Sequence, residues 1–290
     1  MKISETWLRE WVDPEMDLAS LAHRLTMLGL EVDSVEAVAP ALDKVVVGKV
    51  LDVVQHPNAD RLSVCSVDVG QAQPLSIVCG AKNVRAGECY PAALIGATLP
   101  GGLKIKRSKL RGEVSEGMLC SGVELGIGDS ADGILPLGEE LQPGTSITTA
   151  LDLNDHVIDI DLTPNRADCF CVLGIARDIA ASERLAFTEP QVPVVAAESA
   201  ATFPLELTPK AGCARFCGRV IEGLDPQTET PLWMRERLRR SGIRAISPVV
   251  DVTNFVMLEL GQPMHGYDLA KLSGGLVTRR AAVDEELVLL

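Results

Sequence analysis

The feature that most constrains the fold of this chain is a change of texture at Pro40 that lasts to about residue 151. Between residues 42 and 150 the sequence runs in short valine-rich segments separated by glycines: VVVGKVLDVVQHP, RLSVCSVDVG, PLSIVCG and ECYPAALIGATL. Alternation with period two places successive side chains on opposite faces of a strand. Several such strands joined by tight turns predict a small closed barrel, since closure removes unpaired strand edges. The flanks read differently. Leu18, Leu21, Leu25 and Leu28 fall at helical spacing, with Asp17 as N-cap and Gly29 as C-cap, and LEVDSVEAV then alternates as a strand. After residue 152, DHVIDIDL reads as a strand, and TPNRADCFCVLGIARDIAASE as a polar turn leading into a helix.

Residues 190–204, PQVPVVAAESAATFP, read as a linker. Beyond Leu205 the sequence predicts strands over FCGRVIEGL and SPVVDVTNFVMLEL and an arginine-rich helix over PLWMRERLRRSG. The chain ends on ELVLL, a strand-like run, and is expected to be a piece of something longer. Its 290 residues suggest two or three domains. With 47% hydrophobic and 23% charged residues it has the composition of a soluble globular protein. Aromatics are only 3%, so its cores must rest on Val, Leu, Ile and Ala. No run approaches the roughly 18 apolar residues of a membrane span. MKISETWLREW has no apolar signal region, so a cytoplasmic location is expected.

The eight cysteines (65, 79, 89, 120, 169, 171, 213 and 217) include no CxxC pair, and the four histidines (23, 56, 156 and 265) complete no zinc spacing. Reduced, mostly buried thiols are expected, and no metal site. The net charge of −13 argues against a nucleic-acid partner, because binding phosphates needs clustered cations. Two local clusters oppose that reading. KIKRSKLR (Lys104–Arg111) carries five cations in eight residues and no acid; Leu232–Arg244 carries five arginines against Glu236 alone. Each is a candidate RNA face or an ordinary solvated face.

The motifs inside the barrel region have the chemistry of a phosphate-binding surface. HPNADRL is a turn shaped by Pro57, Asn58 and Asp60 that projects Arg61. CGAKNV is a second turn, with Lys82; Lys104, Lys106, Arg107, Lys109 and Arg111 form the basic strip, and SEGMLCSGVELGI follows. Tyr90 is the one aromatic available for stacking, so contacts to RNA backbone and shape are expected rather than base stacking. A barrel that binds nothing stands as the plain structural alternative. HPNADRL, CGAKNV and KLRG-x-x-SEGMLCS-x-x-ELG resemble the signature of the tRNA-binding OB domain, found in synthetases and in free-standing tRNA-binding proteins.

Two further segments extend the resemblance. TPNRADCFCVLGIARDIAA, where Asn165, Arg166 and Asp168 form the polar turn, and RAISPVVDVTNFVMLELGQPMHGYD both resemble the phenylalanyl-tRNA synthetase β-chain family, in family order. The resemblance implies an α+β multidomain fold: a small α/β domain (1–39 and 152–190) interrupted by an OB-fold β-barrel (40–151), followed by the start of an α/β editing-type domain (200–290). It also implies an α2β2 ligase that uses ATP and Mg2+ to join phenylalanine to its tRNA. The aminoacylation site then lies on the α subunit, so this chain holds no cofactor itself and the β chain's own magnesium site lies past residue 290. The partners implied are the α subunit and tRNA; neither DNA nor a membrane is expected. Arg244 and His265 fall on editing-pocket positions, with Thr253 and Asn254 as substrate-side candidates. The family's editing domain hydrolyses tyrosine misattached to phenylalanine tRNA. The need is physical, because a pocket made for phenylalanine rejects an added hydroxyl by only about 100-fold. Gly266 and Tyr267 depart from the alanine and phenylalanine common in the family, and the acid and tyrosine-hydroxyl partner of the pocket lie beyond residue 290. A free-standing tRNA-binding module without catalysis is the alternative, and a separate editing hydrolase the third.

Overall fold

The computed structural model describes residues 1–128, 133–138, 141–225 and 227–288. The chain forms two compact units, Met1–Glu189 with Thr230–Pro263, and Pro190–Glu229 with Met264–Leu290. The first unit begins with β1 (Lys2–Ser4), α1 (Glu5–Trp11), α2 (Leu18–Met27) and β2 (Glu31–Ala37). The barrel strands follow: β3 (Val45–Gln55), β4 (Ser63–Asp68), β5 (Leu75–Cys79), β6 (Cys89–Leu94), β7 (Ser108–Leu110), β8 (Glu113–Ser115) and β9 (Gly117–Leu119). Then come α3 (Ile147–Ala150), β10 (His156–Asp161) and α4 (Val172–Glu183). The second unit supplies β11 (Leu205–Leu207), the first resumes with α5 (Leu232–Arg240) and α6 (Pro248–Leu260), and β12 (Leu276–Thr278) returns to the second.

The barrel is an antiparallel sheet in the order β5-β4-β3-β6-β9. Its two edges are drawn together by side chains and backbone of the SEG motif. The Glu116 amide donates to the Ser76 carbonyl at 2.8 Å, and the Val78 amide donates to Ser115 Oγ at 3.0 Å. The result is a nearly closed barrel. Both faces of its central strands are covered, which explains why CYPAA is buried at every residue. Tyr90 and Ala92 join an inner core with Val50, Val67 and Ile77, whereas Cys89 and Ala93 join an outer core under Leu99, Leu125, Ile147 and Leu153. Gly48 is required where β3 crosses its neighbours: a Cβ there would lie 2.8 Å from Val67 Cγ1 and 2.9 Å from Ala92 Cβ. The register of β3 against β4 shifts between Val50 and Asp52, a bulge that bends this long strand.

The sheet beside the barrel has the order β1-β10-β2, with β10 in the middle. Segments on either side of the barrel in sequence therefore share one ladder, pairing Ile3 with Ile158 and Ile158 with Val35. The α2 reading holds, except that the C-cap is Leu28, one residue before the expected Gly29. Asp17 accepts the Ser20 amide at 2.8 Å, Gly29 has φ +84°, and Leu21 and Leu25 are fully buried. α4 is capped by Cys171, whose Sγ accepts the Gly174 amide, and sends Val172, Ile175 and Ile179 into the same core.

Two expectations fail after residue 230. SPVVDVTNFVMLEL is not a strand but the helix α6. Its valines favour strands, but Pro248 at the first helical position and Gly261 in the left-handed region (φ +71°) set helix ends, and Leu258 and Phe255 reach the α/β core. Phe255 stacks on Trp7 with centroids 5.2 Å apart. The second concerns the arginine-rich segment, where Arg237, Arg239 and Arg240 of α5 are taken up by acids and packing and do not form an open cationic face. Arg240 is buried against Asp155 (2.8 Å) and also donates to the carbonyls of Leu151 and Asp152. Arg239 forks onto Glu236, and Arg237 pairs with Glu10 and lies over the Trp7 ring. Asp155 in turn accepts Ser4 Oγ (2.5 Å) and the amides of Thr6 and His156, so one carboxylate ties β1, α1, β10 and α5 together.

In the second unit β11 and β12 pair in parallel, extended by the Thr208 amide donating to the Thr278 carbonyl at 3.0 Å. FCGRVIEGL, expected as a strand, has no ladder partner among the described residues and forms none. Glu286 to Val288 are likewise irregular, and residues 289 and 290 of the ELVLL run lie outside the described residues.

Candidate nucleic-acid interface

Three loops meet at one end of the barrel. The HPNADRL turn enters β4 and the CGAKNV turn leaves β5, and these ends are adjacent because Ser63 pairs with Cys79. The tip of the β7–β8 hairpin, Leu110–Gly112, joins them through two side chains of the first turn. His56, buried to 3% exposure, bonds the Leu110 carbonyl through Nε2 at 3.0 Å, while its Nδ1 accepts the Asn58 amide at 3.0 Å. The amide contact makes Nδ1 the acceptor and therefore Nε2–H the donor. Asn58 Nδ2 donates to the Arg111 carbonyl at 3.2 Å. Arg111 itself has φ +48°, a left-handed conformation imposed by the tight tip. Arg61, Lys82, Lys109 and Arg111 are all exposed around this end.

The rest of the strip is displayed by a local strand-like alternation. Ile105 is buried and exchanges backbone bonds with Gly96 and Ala97, so Lys104 and Lys106 on either side turn outward. Arg107 is exposed but shares its charge with Glu116 at 3.5 Å. Lys82 is positioned by its neighbour Asn83, whose side chain donates to the Ile134 carbonyl (2.7 Å) and accepts its amide (3.1 Å). Ser121 and Glu124 form a capping box in the following turn: Glu124 Oε2 accepts the Ser121 amide at 2.7 Å, and Ser121 Oγ accepts the Glu124 amide.

Tyr90, the one aromatic of the barrel, is no stacking platform. It is fully buried, its hydroxyl has the Asn83 carbonyl and Glu88 Oε2 within reach as acceptors for its one proton and accepts the Arg85 amide, and burial pushes its phenol above the usual range. The sequence reading also missed the organisers: His56 and Asn58 sit in a turn whose partners are 54 and 53 residues away. Their only local signal was the His-Pro-Asn turn chemistry itself.

The editing candidates are divided between the units. In the first, Arg244 is exposed in the loop before α6, Thr253 Oγ1 donates to the Val250 carbonyl (2.7 Å) inside α6, and Asn254 is half-buried on the next position of that helix. In the second, His265 is exposed in irregular backbone, with the Tyr267 ring 6.1 Å from its own. Asp268 caps a short turn, accepting the Ala270 amide at 3.1 Å, and pairs with Lys271.

Asp168, Cys169 and Asp178 form the one grouping with metal-ligand spacing among the described residues. Arg166 already supplies its cation, reaching Asp178 at 2.5 Å and Asp168 at 3.1 Å, and its hydrogen bonds hold Asp168 below the usual carboxylate range. All eight cysteines are free and six are buried; burial pushes Cys65, Cys120 and Cys169 up to about 12.

Comparison with known proteins gives two family matches. Residues 45–146 match tRNA_bind, a tRNA binding domain, and residues 212–290 match the B3/4 domain. Relatives named "Phenylalanine--tRNA ligase beta subunit" align over all 290 residues: 54% identical in Pectobacterium atrosepticum, 53% in Yersinia pestis and 52% in Vibrio cholerae. The chain spans 36% of the length of each of these relatives. Among solved structures, the "MetRS related protein from Pyrococcus horikoshii" aligns over 36% of this chain and 87% of that one, at 22% identity and a TM-score of 0.27, and carries no argument at that score.

Proposed function

Because the chain belongs to the phenylalanine–tRNA ligase β-subunit family, we propose that it is the N-terminal portion of such a subunit and that its barrel binds tRNA. The observation that carries this reading is the gathering of Arg61, Lys82, Lys109 and Arg111 around three joined loops within the region that matches a tRNA binding domain. Seven exposed cations with no exposed aromatic suit phosphates and helical shape, and suit splayed bases poorly. In this reading residues 1–39 and 152–190 form the interrupted domain, 40–151 the OB domain and 200–290 the start of the editing domain. The subunit works in the cytoplasm within an α2β2 synthetase whose α subunit uses ATP and Mg2+. Arg244, Thr253, Asn254 and His265 are each assigned an editing role, supported by the B3/4 match over 212–290, which contains all four residues.

The test of tRNA binding is a salt titration. Wild-type chain should bind tRNA with affinity falling steeply as salt rises. Reversing Lys104, Lys106, Lys109 and Arg111 to Glu should weaken binding by about two orders of magnitude and flatten that slope. An unchanged slope would remove the strip from the interface. For editing, His265→Ala in the full-length enzyme should slow hydrolysis of tyrosyl-tRNA and leave phenylalanine charging intact. Deacylation at the wild-type rate would make His265 structural.

A further inference from the structure

We infer that His56 and Asn58 are positioning residues for RNA binding: they hold the β7–β8 hairpin tip in the pose that presents Lys109 and Arg111 beside Arg61. The inference rests on the proposed tRNA-binding reading and goes beyond it in naming what pre-organises the site. The hairpin has only three residues in each strand, and all of β7 is exposed. A two-stranded ribbon of that length is not stable alone. The barrel anchors its β8 side, where Ser76 Oγ donates to the Val114 carbonyl and Ser115 Oγ accepts the Val78 amide. On the β7 side and at the tip, the described side-chain bonds come from the HPNADRL turn: His56 to the Leu110 carbonyl and Asn58 to the Arg111 carbonyl.

The two bonds are linked. The Asn58 amide fixes the His56 tautomer, and that tautomer supplies the proton for Leu110. The same turn carries Arg61 five residues beyond a buried imidazole. Turn and hairpin thus form one rigid presenter of three cations. Gly112 completes it, with φ +109° and its Cα side facing Asn58 Nδ2, which a Cβ would meet at 3.4 Å. Neither His56 nor Asn58 carries the charge that meets phosphate. Their contribution is to order Lys109 and Arg111 before RNA arrives, so the ordering cost is not charged to binding.

That role separates cleanly from contact. Losing a positioned cation lowers both affinity and the salt slope, whereas losing its positioner lowers affinity alone, because the same phosphates are neutralised in the complex. The experiment measures the affinity of the 290-residue chain for tRNA across a salt series, with unfolding midpoints taken on the same samples. Asn58→Ala should weaken binding by about three- to tenfold, the range of one hydrogen bond, with the slope unchanged. Arg111→Ala should reduce the slope by about 0.7–0.9. In a Lys109→Ala/Arg111→Ala background, Asn58→Ala should cost nothing further, since the cations it places are gone. His56→Gln, which keeps a donor for Leu110 O, should bind better than His56→Ala; if His56→Ala does not fold, the Asn58 cycle decides. An equal loss from Asn58→Ala in both backgrounds, or a slope reduced as in Arg111→Ala, overturns the inference. A wild-type chain that binds tRNA with no salt dependence overturns the underlying reading as well, and that result is visible before any variant is made.

Discussion

The strip Lys104–Arg111 and the segment Leu232–Arg244 each carry five cations, yet the fold disposes of them in opposite ways. In the strip, Lys104, Lys106, Lys109 and Arg111 are exposed, and only Arg107 has an acid within ion-pair distance among the described residues. In the helical segment, Arg237, Arg239 and Arg240 are engaged by Glu10, Glu236 and Asp155, and Arg235 reaches the Pro136 carbonyl. Only Arg244, past the helix, is exposed without an ion pair among the described residues. A count of local charge therefore does not identify a nucleic-acid surface. What decides is whether the fold supplies acids to the cations. In the helix they also serve packing, as where Arg237 lies over Trp7 and Trp233.

The comparison can be broken most forcefully at Arg240. Arg240→Met leaves Asp155 buried without its partner charge and should cost about 3–5 kcal/mol of stability; urea unfolding would measure it. A loss under about 1 kcal/mol would mean the pair holds nothing together. The next effect is smaller and concerns RNA. Arg239→Gln, on the inward cluster, should change tRNA affinity by less than about twofold, against the much larger loss expected from reversing the strip. A comparable loss from Arg239→Gln would place α5 at the interface and end the contrast. The smallest effect sharpens it. Glu116→Gln frees Arg107 from its acid and should strengthen tRNA binding by about twofold at low salt, a gain that fades as salt screens it. No gain would show that Arg107 lies outside the footprint.

The barrel was legible because each strand carried its own alternation and its own turn residues. The β3, β4, β5 and β6 segments were all present as VVVGKVLDVVQ, SVCSVD, LSIVC and CYPAAL. α2 was legible for the same kind of reason, with both of its ends marked by Asp17 and Gly29. α6 was misread because β-branched valines outweighed the end signals of Pro248 and Gly261, which act through geometry and not propensity. At the candidate site, the basic residues were visible as types, but the clamp was not. Nothing near His56 says that its acceptor lies 54 residues on. Nothing near Arg240 says that its carboxylate lies 85 residues back, and Arg237 finds Glu10 across 227 residues.

The sequence by itself determined the period and ends of most elements, the scarcity of aromatics in the barrel, and the composition of the strip, because these depend on which residues stand where along the chain. The tertiary structure alone decided which cations keep their charge toward water, which turn braces which hairpin, and that β10 enters the sheet between β1 and β2. The reason is electrostatic and topological. A charge is neutralised by whatever acid the fold carries within about 4 Å of it, and distant segments reach that range only when barrel closure and sheet pairing bring them there.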